Sequence, residues 1–217
     1  MIESRERATA SIGSTLAGDH FLANLKAGTQ ARHTALENTR LTEGLMSTKL
    51  TRSQYAGILY GFYGAFQPLE QALAAVFGKV APPLEPIHRS PLAVQDICSL
   101  LGQFDPSRLP ASIALPWQLV DIPTILGVTY VLEGSRLGGK TISRQIQNTI
   151  GVTPENGGSF FAGIDSPGIT GWKTFKNYCA YYASCHPDQQ AQIIRVANET
   201  FQYVEDYFKA MYPKTAY

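Results

Sequence analysis

The sequence lacks the marks of several protein classes. Its 217 residues include only three cysteines, Cys98, Cys179 and Cys185. So sparse and odd a set is not a disulfide framework, and it does not have zinc-site spacing. No uninterrupted apolar run reaches the roughly 18 residues of a membrane-spanning helix. The opening MIESRERATASIGST has no apolar core of a secretory signal. We therefore expect reduced thiols and a soluble, cytoplasmic protein.

An excess of charge and a pattern of strands are also missing. The chain has 18 Lys and Arg against 17 Asp and Glu, a net charge of +1, which argues against nucleic acid as a partner. No segment alternates apolar and polar residues between turn signals, and no repeat or second domain is visible. The 44% hydrophobic content suffices for one core. We expect an all-α, single-domain irregular bundle of six to eight helices.

The first half of the chain carries clear helix signals. We expect a flexible N-terminal arm over residues 1–18 and a helical domain over 19–217, whose first helix runs from His20 to Asn38 with Asp19 as its N-cap. Thr51-Arg52-Ser53-Gln54 is a capping-box pattern before a long apolar run, in which Pro68 should kink or divide the helix. Ser90-Pro91 begins a short helix that ends near Phe104.

The second half begins with what the sequence predicts as the longest helical stretch. It starts at Asp121-Ile122-Pro123 and continues to about Ile150, although glycines interrupt its middle. A glycine-rich loop follows over about residues 151–171. Helices over about 172–185 and 187–212 complete the domain.

Four residues of the first helix suggest a binding site. Lys26, Thr29, His33 and Glu37 are spaced by three, four and four residues, so they share one helix face. His33 is a candidate ligand of haem iron, and Lys26, about 10 Å away along the axis, is placed to pair with a propionate. Glu37 can accept a hydrogen bond from the second imidazole nitrogen. A structural histidine and a solvated lysine are the plain alternative.

The stretch LKAGTQARHTALEN resembles the proximal-helix motif of haem oxygenases. The motif reads roughly Leu-Lys-x-x-Thr-x-x-x-His-x-x-x-Glu, and Leu25, Lys26, Thr29, His33 and Glu37 all fall in register. The resemblance implies that His33 is the axial ligand of the haem iron. It also implies that Lys26 pairs with a propionate and that Glu37 orients the imidazole.

A second match lies about 100 residues further on. YVLEGSRLGGKTI resembles the distal helix of the family, with Gly134, Gly138 and Gly139 in the pattern of a glycine followed four residues later by a glycine pair. Without a Cβ, such backbone can approach the haem face and the helix can kink there. Close helix packing is the alternative explanation. Many members have Asp directly after the first glycine, where this chain has Ser135, which cannot supply a carboxylate.

Weaker matches extend the resemblance over roughly residues 20–210. Phe201 and Phe208 resemble two phenylalanines that wall the haem pocket, although ordinary core packing explains them equally well. Phe175-Lys176 resembles a pair whose lysine contacts a propionate, and Tyr130 is a further candidate on the distal side. A cation found in some members one turn after that pair is replaced by Ala180.

The resemblance implies that the protein is a haem oxygenase. Haem would be both cofactor and substrate, opened with dioxygen and external electrons to biliverdin, carbon monoxide and ferrous iron. The chain has no dinucleotide, flavin or iron–sulfur motif, so the electrons would come from a separate reductase or ferredoxin. In some relatives the biliverdin passes to a phytochrome. We expect no nucleic acid and no membrane as partner.

Three other interpretations stay open at this point. The first is a haem-binding or haem-transfer protein that does not open the ring, an interpretation that Ser135 in place of Asp favours. A non-haem metal oxidase on the same fold would need carboxylates and histidines from several helices. Only His33, of the four histidines, lies well inside a predicted helix. The third interpretation is a scaffold without chemistry.

Overall fold

The computed structural model describes residues 16–80, 84, 88–118, 120–163 and 168–211. Over these ranges the chain forms α-helices and short 3₁₀ turns and no β-strand, which confirms the all-α prediction. The nine α-helices of the described ranges are α1 (Leu16–Glu37), α2 (Arg40–Leu45), α3 (Arg52–Val80), α4 (Ser90–Leu101), α5 (Ile122–Gly134), α6 (Gly139–Ile150), α7 (Ser159–Ala162), α8 (Gly168–Cys185) and α9 (Gln190–Met211).

The long C-terminal helix α9 organises the bundle by packing against α5, α1 and α3. Two hydrophobic clusters meet along it. The first is built around α3 and includes Tyr55, Leu59, Phe66, Phe160 and Phe208. The second joins α1, α5, α8 and α9, and includes Phe21, Leu25, Leu126, Phe175 and Phe201. The second cluster therefore brings together the helices that carry the two sequence motifs.

The start signals of two helices are confirmed as hydrogen bonds. At the start of α3, the Thr51 N–H donates to Gln54 Oε1 (2.9 Å) and the Gln54 N–H donates to Thr51 Oγ1 (3.2 Å), which is the predicted capping box. At the start of α5, the Thr124 N–H donates to Asp121 Oδ1 at 2.9 Å. These side chains satisfy backbone donors that have no partner inside the helix.

Two expectations for the first half of the chain differ from the structure. Helix α1 begins at Leu16, so Asp19 lies in its first turn and is not its N-cap. Residues 16–18 of the predicted arm are therefore helical, and residues 1–15 lie outside the described ranges. Pro68 does not divide α3, which continues from Arg52 to Val80. Phe66 and Leu73, one on each side of the proline, are buried in the same cluster. Their burial outweighs the one backbone hydrogen bond that a proline removes.

The predicted stretch from Asp121 to Ile150 is two helices. It is therefore not the longest helix of the described ranges, which is α3 with 29 residues. Between α5 and α6, the N–H groups of Arg136, Leu137 and Gly139 each donate to a carbonyl three residues back, at 3.1–3.2 Å. The chain thus passes from α5 to α6 through tight, hydrogen-bonded turns. Gly134 ends one helix and Gly139 starts the next, whereas we expected the glycines to interrupt a single helix.

The last predicted boundaries shift by a few residues. The fourth helix ends at Leu101, before the expected Phe104, because Gly102 adopts a left-handed conformation (φ 84°) and its N–H donates to the Cys98 carbonyl. The expected loop over 151–171 contains α7 and the first turn of α8.

A buried carboxylate fixes α7 against α4. Asp96 is 1% exposed, and its Oδ1 accepts from the Ser159 N–H (3.0 Å) and hydroxyl (2.6 Å), while Oδ2 accepts from the Phe160 N–H at 2.8 Å. Burial raises the pKa of the Asp96 carboxyl, and the three hydrogen bonds oppose this shift. The bonds place Phe160 and Phe161 in the core.

Replacing Asp96 by asparagine should destabilise the fold by about 1–3 kcal/mol. One carboxylate oxygen becomes an NH₂ group, so one of the buried donors on α7 loses its acceptor. Urea unfolding followed by circular dichroism measures the change. Asp105→Asn is the control, because Asp105 caps an exposed turn by accepting from Ser107, and it should leave the midpoint unchanged. Equal midpoints for both variants would contradict the assignment.

Candidate functional site

The predicted pair on α1 is present. The His33 Nδ1 atom lies 3.4 Å from Glu37 Oε2, and the His33 and Glu37 side chains are 49% and 58% exposed. The imidazole also meets the ring of Phe201 edge-on, with centroids 5.7 Å apart and an interplanar angle of 83°. When Nδ1 carries the proton and donates to Glu37, Nε2 keeps its lone pair and can bind a metal.

The other two residues of the motif occupy different environments. Thr29 is 2% exposed, and its hydroxyl donates to the Leu25 carbonyl at 2.8 Å. Its Oγ1 also lies 3.4 Å from the hydroxyl of Tyr130, so helices α1 and α5 touch at this point. Lys26 is exposed. Thr29 therefore links α1 to α5 at one point, and Lys26 is available to a ligand.

The three glycines do not share one reason for lacking a side chain. A Cβ on Gly139 would lie 2.4 Å from the Phe161 carbonyl oxygen, so packing against α7 requires glycine there. A Cβ on Gly134 would meet the ring of Trp172, and one on Gly138 would meet Ile142, both at an ordinary 3.8 Å. Close packing therefore explains Gly139 but neither Gly134 nor Gly138.

A cleft of about 520 Å³ separates the end of α1 from the glycine-rich break. Its volume lies within the roughly 300–1,000 Å³ of cofactor pockets. Glu37 lines one side, and Gly138, Thr141 and Ile142 line another. The remaining lining residues belong to the α2 region: Thr42, Glu43, Leu45, Met46 and Ser47. His33 is not among these lining residues, but it precedes the lining residue Glu37 by one helical turn.

A cluster of aromatic side chains lies beside Gly134. Tyr130 packs against Trp172, Phe175 and Phe201, with ring centroids 5.8, 6.3 and 6.5 Å apart. Trp172 also stacks on Phe175 at 5.4 Å, and Lys176 Nζ lies 6.0 Å from the Trp172 ring. Trp172 is not one of the predicted site residues. The signal available was its position three residues before Phe175, on the same face of α8.

A second groove, of about 440 Å³, lies between residues 113–116 and α9. Its charged residues include Arg195 and Glu199, which already pair with each other at 2.8 Å. None of the three glycines lines it. The cleft at the break is therefore the better candidate site.

Comparison with known proteins decides the family. The model of the family described as "Heme oxygenase" matches residues 19–210. The chain belongs to the haem oxygenase family. No curated protein matches the sequence.

Solved haem oxygenases share the fold. The Neisseria meningitidis enzyme, solved with NO and CO bound, is 21% identical with a TM-score of 0.65, over 91% of this chain and 92% of that one. The Leptospira interrogans enzyme is 18% identical with a TM-score of 0.65, over 87% and 98%. Haem oxygenase-1 from the cyanobacterium Synechocystis, in complex with haem, is 18% identical with a TM-score of 0.61, over 87% and 90%.

The two phenylalanines matched to the haem oxygenase pocket lie in different clusters. Phe201 belongs to the second cluster and contacts His33. Phe208 belongs to the first cluster, where its ring lies 4.9 Å from that of Phe62. In this structure, ordinary core packing describes Phe208, whereas Phe201 combines core packing with contact to the candidate ligand.

The two departures from the haem oxygenase pattern have structural contexts. Ala180 is fully buried, and a Cβ added to Gly18 of α1 would lie 2.8 Å from the Ala180 Cβ. Helices α1 and α8 are therefore too close for a long cation at position 180. Ser135 donates to the Leu132 carbonyl at 2.7 Å and accepts from Arg89 Nη1 at 2.8 Å.

Arg89 is a residue that sequence reasoning missed. It is 5% exposed, and its guanidinium lies 4.5 Å above the ring of Phe160. Burial, together with the smaller effect of the nearby Arg136, lowers the pKa of Arg89 to about 10, although Glu70 and Glu133 oppose this shift. Arg89 stays charged at neutral pH. It lies at the end of a proline-rich connection, where the sequence gives no sign of burial.

The described part of the chain shows neither a cluster of metal-ligating side chains nor a membrane span. No group of three or more His, Cys, Asp or Glu among those residues could hold a metal ion. The non-haem metal oxidase alternative therefore finds no ligand set in this part of the protein. No described helix is long and apolar enough to cross a membrane.

Replacing the glycines by alanine should separate packing from ligand space. Gly139→Ala should destabilise the ligand-free protein by about 1–3 kcal/mol, because its Cβ overlaps a backbone oxygen that cannot swing aside. Gly138→Ala is the matched control and should not lower stability, because its Cβ meets only an ordinary contact. Thermal unfolding of both variants tests this, and a destabilised Gly138→Ala would contradict it.

Proposed function

We propose that this chain binds haem through His33 and opens it with dioxygen and external electrons to biliverdin, carbon monoxide and ferrous iron. One observation carries the proposal. A half-exposed histidine, paired with Glu37, lies one helical turn from a cleft whose other side includes Gly138, a glycine that packing does not require. That combination supplies a metal ligand near one side of the cleft and a stretch of backbone without a side chain on the other.

The residues present fit haem. A neutral imidazole is a common axial ligand of haem iron, and the His33 ring is exposed enough to be reached. Gly134 and Gly138 leave open the space that a Cβ would fill. Phe201 and Tyr130 provide apolar surface for a flat ring. When bound, haem supplies the iron that binds and reduces dioxygen, and also the carbon framework that is oxidised.

Glu37 orients the imidazole of His33. A hydrogen bond from the Nδ1–H group to the Glu37 carboxylate favours the tautomer in which Nε2 is unprotonated and can bind iron. Phe201 restrains the same ring from the side. The histidine therefore has one preferred position before haem arrives, which lowers the entropy cost of binding.

Cations at the margin of the site select the propionates. Lys26 is exposed on α1, and Lys176 is held near the ring of Trp172 on α8. Each can pair with one propionate and so set the rotation of the porphyrin about the iron axis. Thr29 and Tyr130 support the site by joining α1 to α5.

Gly134, Gly138 and Ser135 shape the distal side. Backbone without side chains limits the height above the ring and leaves room for a diatomic ligand. The Ser135 hydroxyl is fixed by Leu132 and Arg89, so it has one lone pair left to accept a hydrogen bond from a water molecule. A water held in this way can relay protons to the site. Electrons come from a separate reductase or ferredoxin, and a phytochrome is a candidate acceptor of the biliverdin.

A haem-binding protein that leaves the ring intact is the second candidate. It is favoured by one observation, that position 135 has no carboxylate and its hydroxyl already makes two hydrogen bonds. Both candidates require His33 as the ligand, so they differ only after reduction in the presence of oxygen.

Haem titration followed by ascorbate and oxygen should distinguish these candidates. The wild-type protein should give a Soret band that decays as biliverdin absorbance rises, with the product confirmed by chromatography. His33→Ala should weaken haem binding by roughly tenfold or more, and added imidazole should restore the spectrum. His20→Ala, an exposed histidine on the same helix, is the control. An unchanged spectrum in His33→Ala would refute the ligand assignment, and a stable Soret band would favour the second candidate.

Gly134→Ala should separate stability from function. The ligand-free protein should be as stable as wild type or gain up to about 1 kcal/mol, since alanine favours a helix over glycine. Haem turnover should fall by about a hundredfold, because a methyl group displaces the ring relative to its ligands. Calorimetry and biliverdin yield provide the two measurements. Turnover equal to wild type would place Gly134 outside the site.

A further inference from the structure

Two consecutive residues at the end of α5 face two consecutive residues near the start of α8. A Cβ on Gly134 would lie 3.8 Å from the ring of Trp172. A Cβ on Gly171 would lie 3.1 Å from Glu133 Oε2. The position of the tryptophan above Gly134 is thus tied to the contact between Glu133 and Gly171.

Glu133 is a buried carboxylate without a role so far. It is 6% exposed, and its Oε1 accepts from Arg136 Nη1 at 2.9 Å. Its Oε2 is buried and has no hydrogen-bond partner. An acceptor left unpaired in the interior is costly, so its retention calls for an explanation. The pair with Arg136, three residues away on the same segment, uses only one of the two oxygens.

The start of α8 provides an environment for the other oxygen. Helix α8 begins at Gly168 and has 18 residues. The N–H groups of its first turn have no acceptor within the helix, and this end carries the positive pole of the helix dipole. Oε2 lies next to Gly171 at that end, and a side chain at 171 would press against the carboxylate. The negative charge of Glu133 therefore favours the observed approach of α8 to α5.

We propose that Glu133 is a positioning residue that holds the start of α8 against the end of α5 and so fixes Trp172 over Gly134. The effect of this positioning on haem, through the width of the space above Gly134, rests on the proposed function. The contact between Glu133 and α8 does not rest on it, because the contact exists in the ligand-free protein. Loss of the carboxylate should release Trp172 toward solvent and weaken haem binding without removing the iron ligand.

Tryptophan fluorescence of the ligand-free protein tests the contact directly. The chain has two tryptophans, so Trp117→Phe leaves Trp172 as the reporter. The buried Trp117 indole N–H has no partner, which makes this replacement mild. In that background, Glu133→Ala should shift the emission to longer wavelength and raise the acrylamide quenching constant by about twofold, because the start of α8 opens more often. Glu133→Gln should give a smaller shift in the same direction.

The control is Glu199→Ala, which breaks an Arg–Glu pair on α9 at a similar distance, 2.8 Å, and should leave the emission unchanged. Emission and quenching in Glu133→Ala and Glu133→Gln that match the parent would overturn the proposal, as would an equal shift in Glu199→Ala. Should Glu133→Ala fail to fold, Glu133→Gln alone decides in the same way.

Haem titration of the same variants separates this proposal from the proposed function. The haem Kd of Glu133→Ala should rise about two- to fivefold, the range that a charge at a helix end supports. The Soret position should stay at that of the parent, because His33 is untouched. If the Trp117→Phe parent bound no haem, the proposed function would be refuted. The fluorescence result would still test the contact between Glu133 and the start of α8. A changed Kd with unchanged fluorescence would overturn the positioning role.

Discussion

The hydrogen bond from Arg89 to Ser135 fixes the point at which α5 ends. Ser135 in turn donates to the carbonyl of Leu132, so the bond reaches the last turn of the helix. A buried guanidinium is costly unless its surroundings compensate. Here the Phe160 ring lies below it, and Glu70 accepts from the Arg89 backbone N–H at 3.0 Å. The break between α5 and α6, on which the cleft depends, is therefore held by buried polar contacts rather than by glycine alone.

The three glycines at the break between α5 and α6 differ in how closely they are packed. Gly139 is closed against the Phe161 carbonyl, and Asp96 holds that segment in place by binding the residues just before it. Gly134 and Gly138 face ordinary contacts only. The same sequence pattern thus serves two purposes. Rigid packing requires glycine at position 139, whereas the other two positions have room for a side chain.

Local signals predicted the parts of the structure that depend on residues close together in sequence. The helix of His33, its pair with Glu37 and the capping box at Thr51 follow from spacings of three or four residues, and the helix start at Asp121 follows from the nearby proline. Contacts between distant segments were not predictable in this way. Arg89 meets Ser135 across 46 residues, and nothing in a proline-rich connection marks an arginine as buried. The continuity of α3 through Pro68 also depends on tertiary burial, which outweighs local propensity.

The two sides of the cleft differ in how they are prepared for a ligand. On the α1 side, the His33 ring is half exposed, and Glu37 and the edge of Phe201 restrain it. At the end of α5, Ser135 and Glu133 are held by arginines in the interior. A flat apolar ligand bound as proposed would cover the imidazole and extend the second core cluster at Phe201, so most of the gain in burial would fall on the α1 side. The end of α5 has little left to rearrange, which is the preorganisation that the proposed reaction would require there.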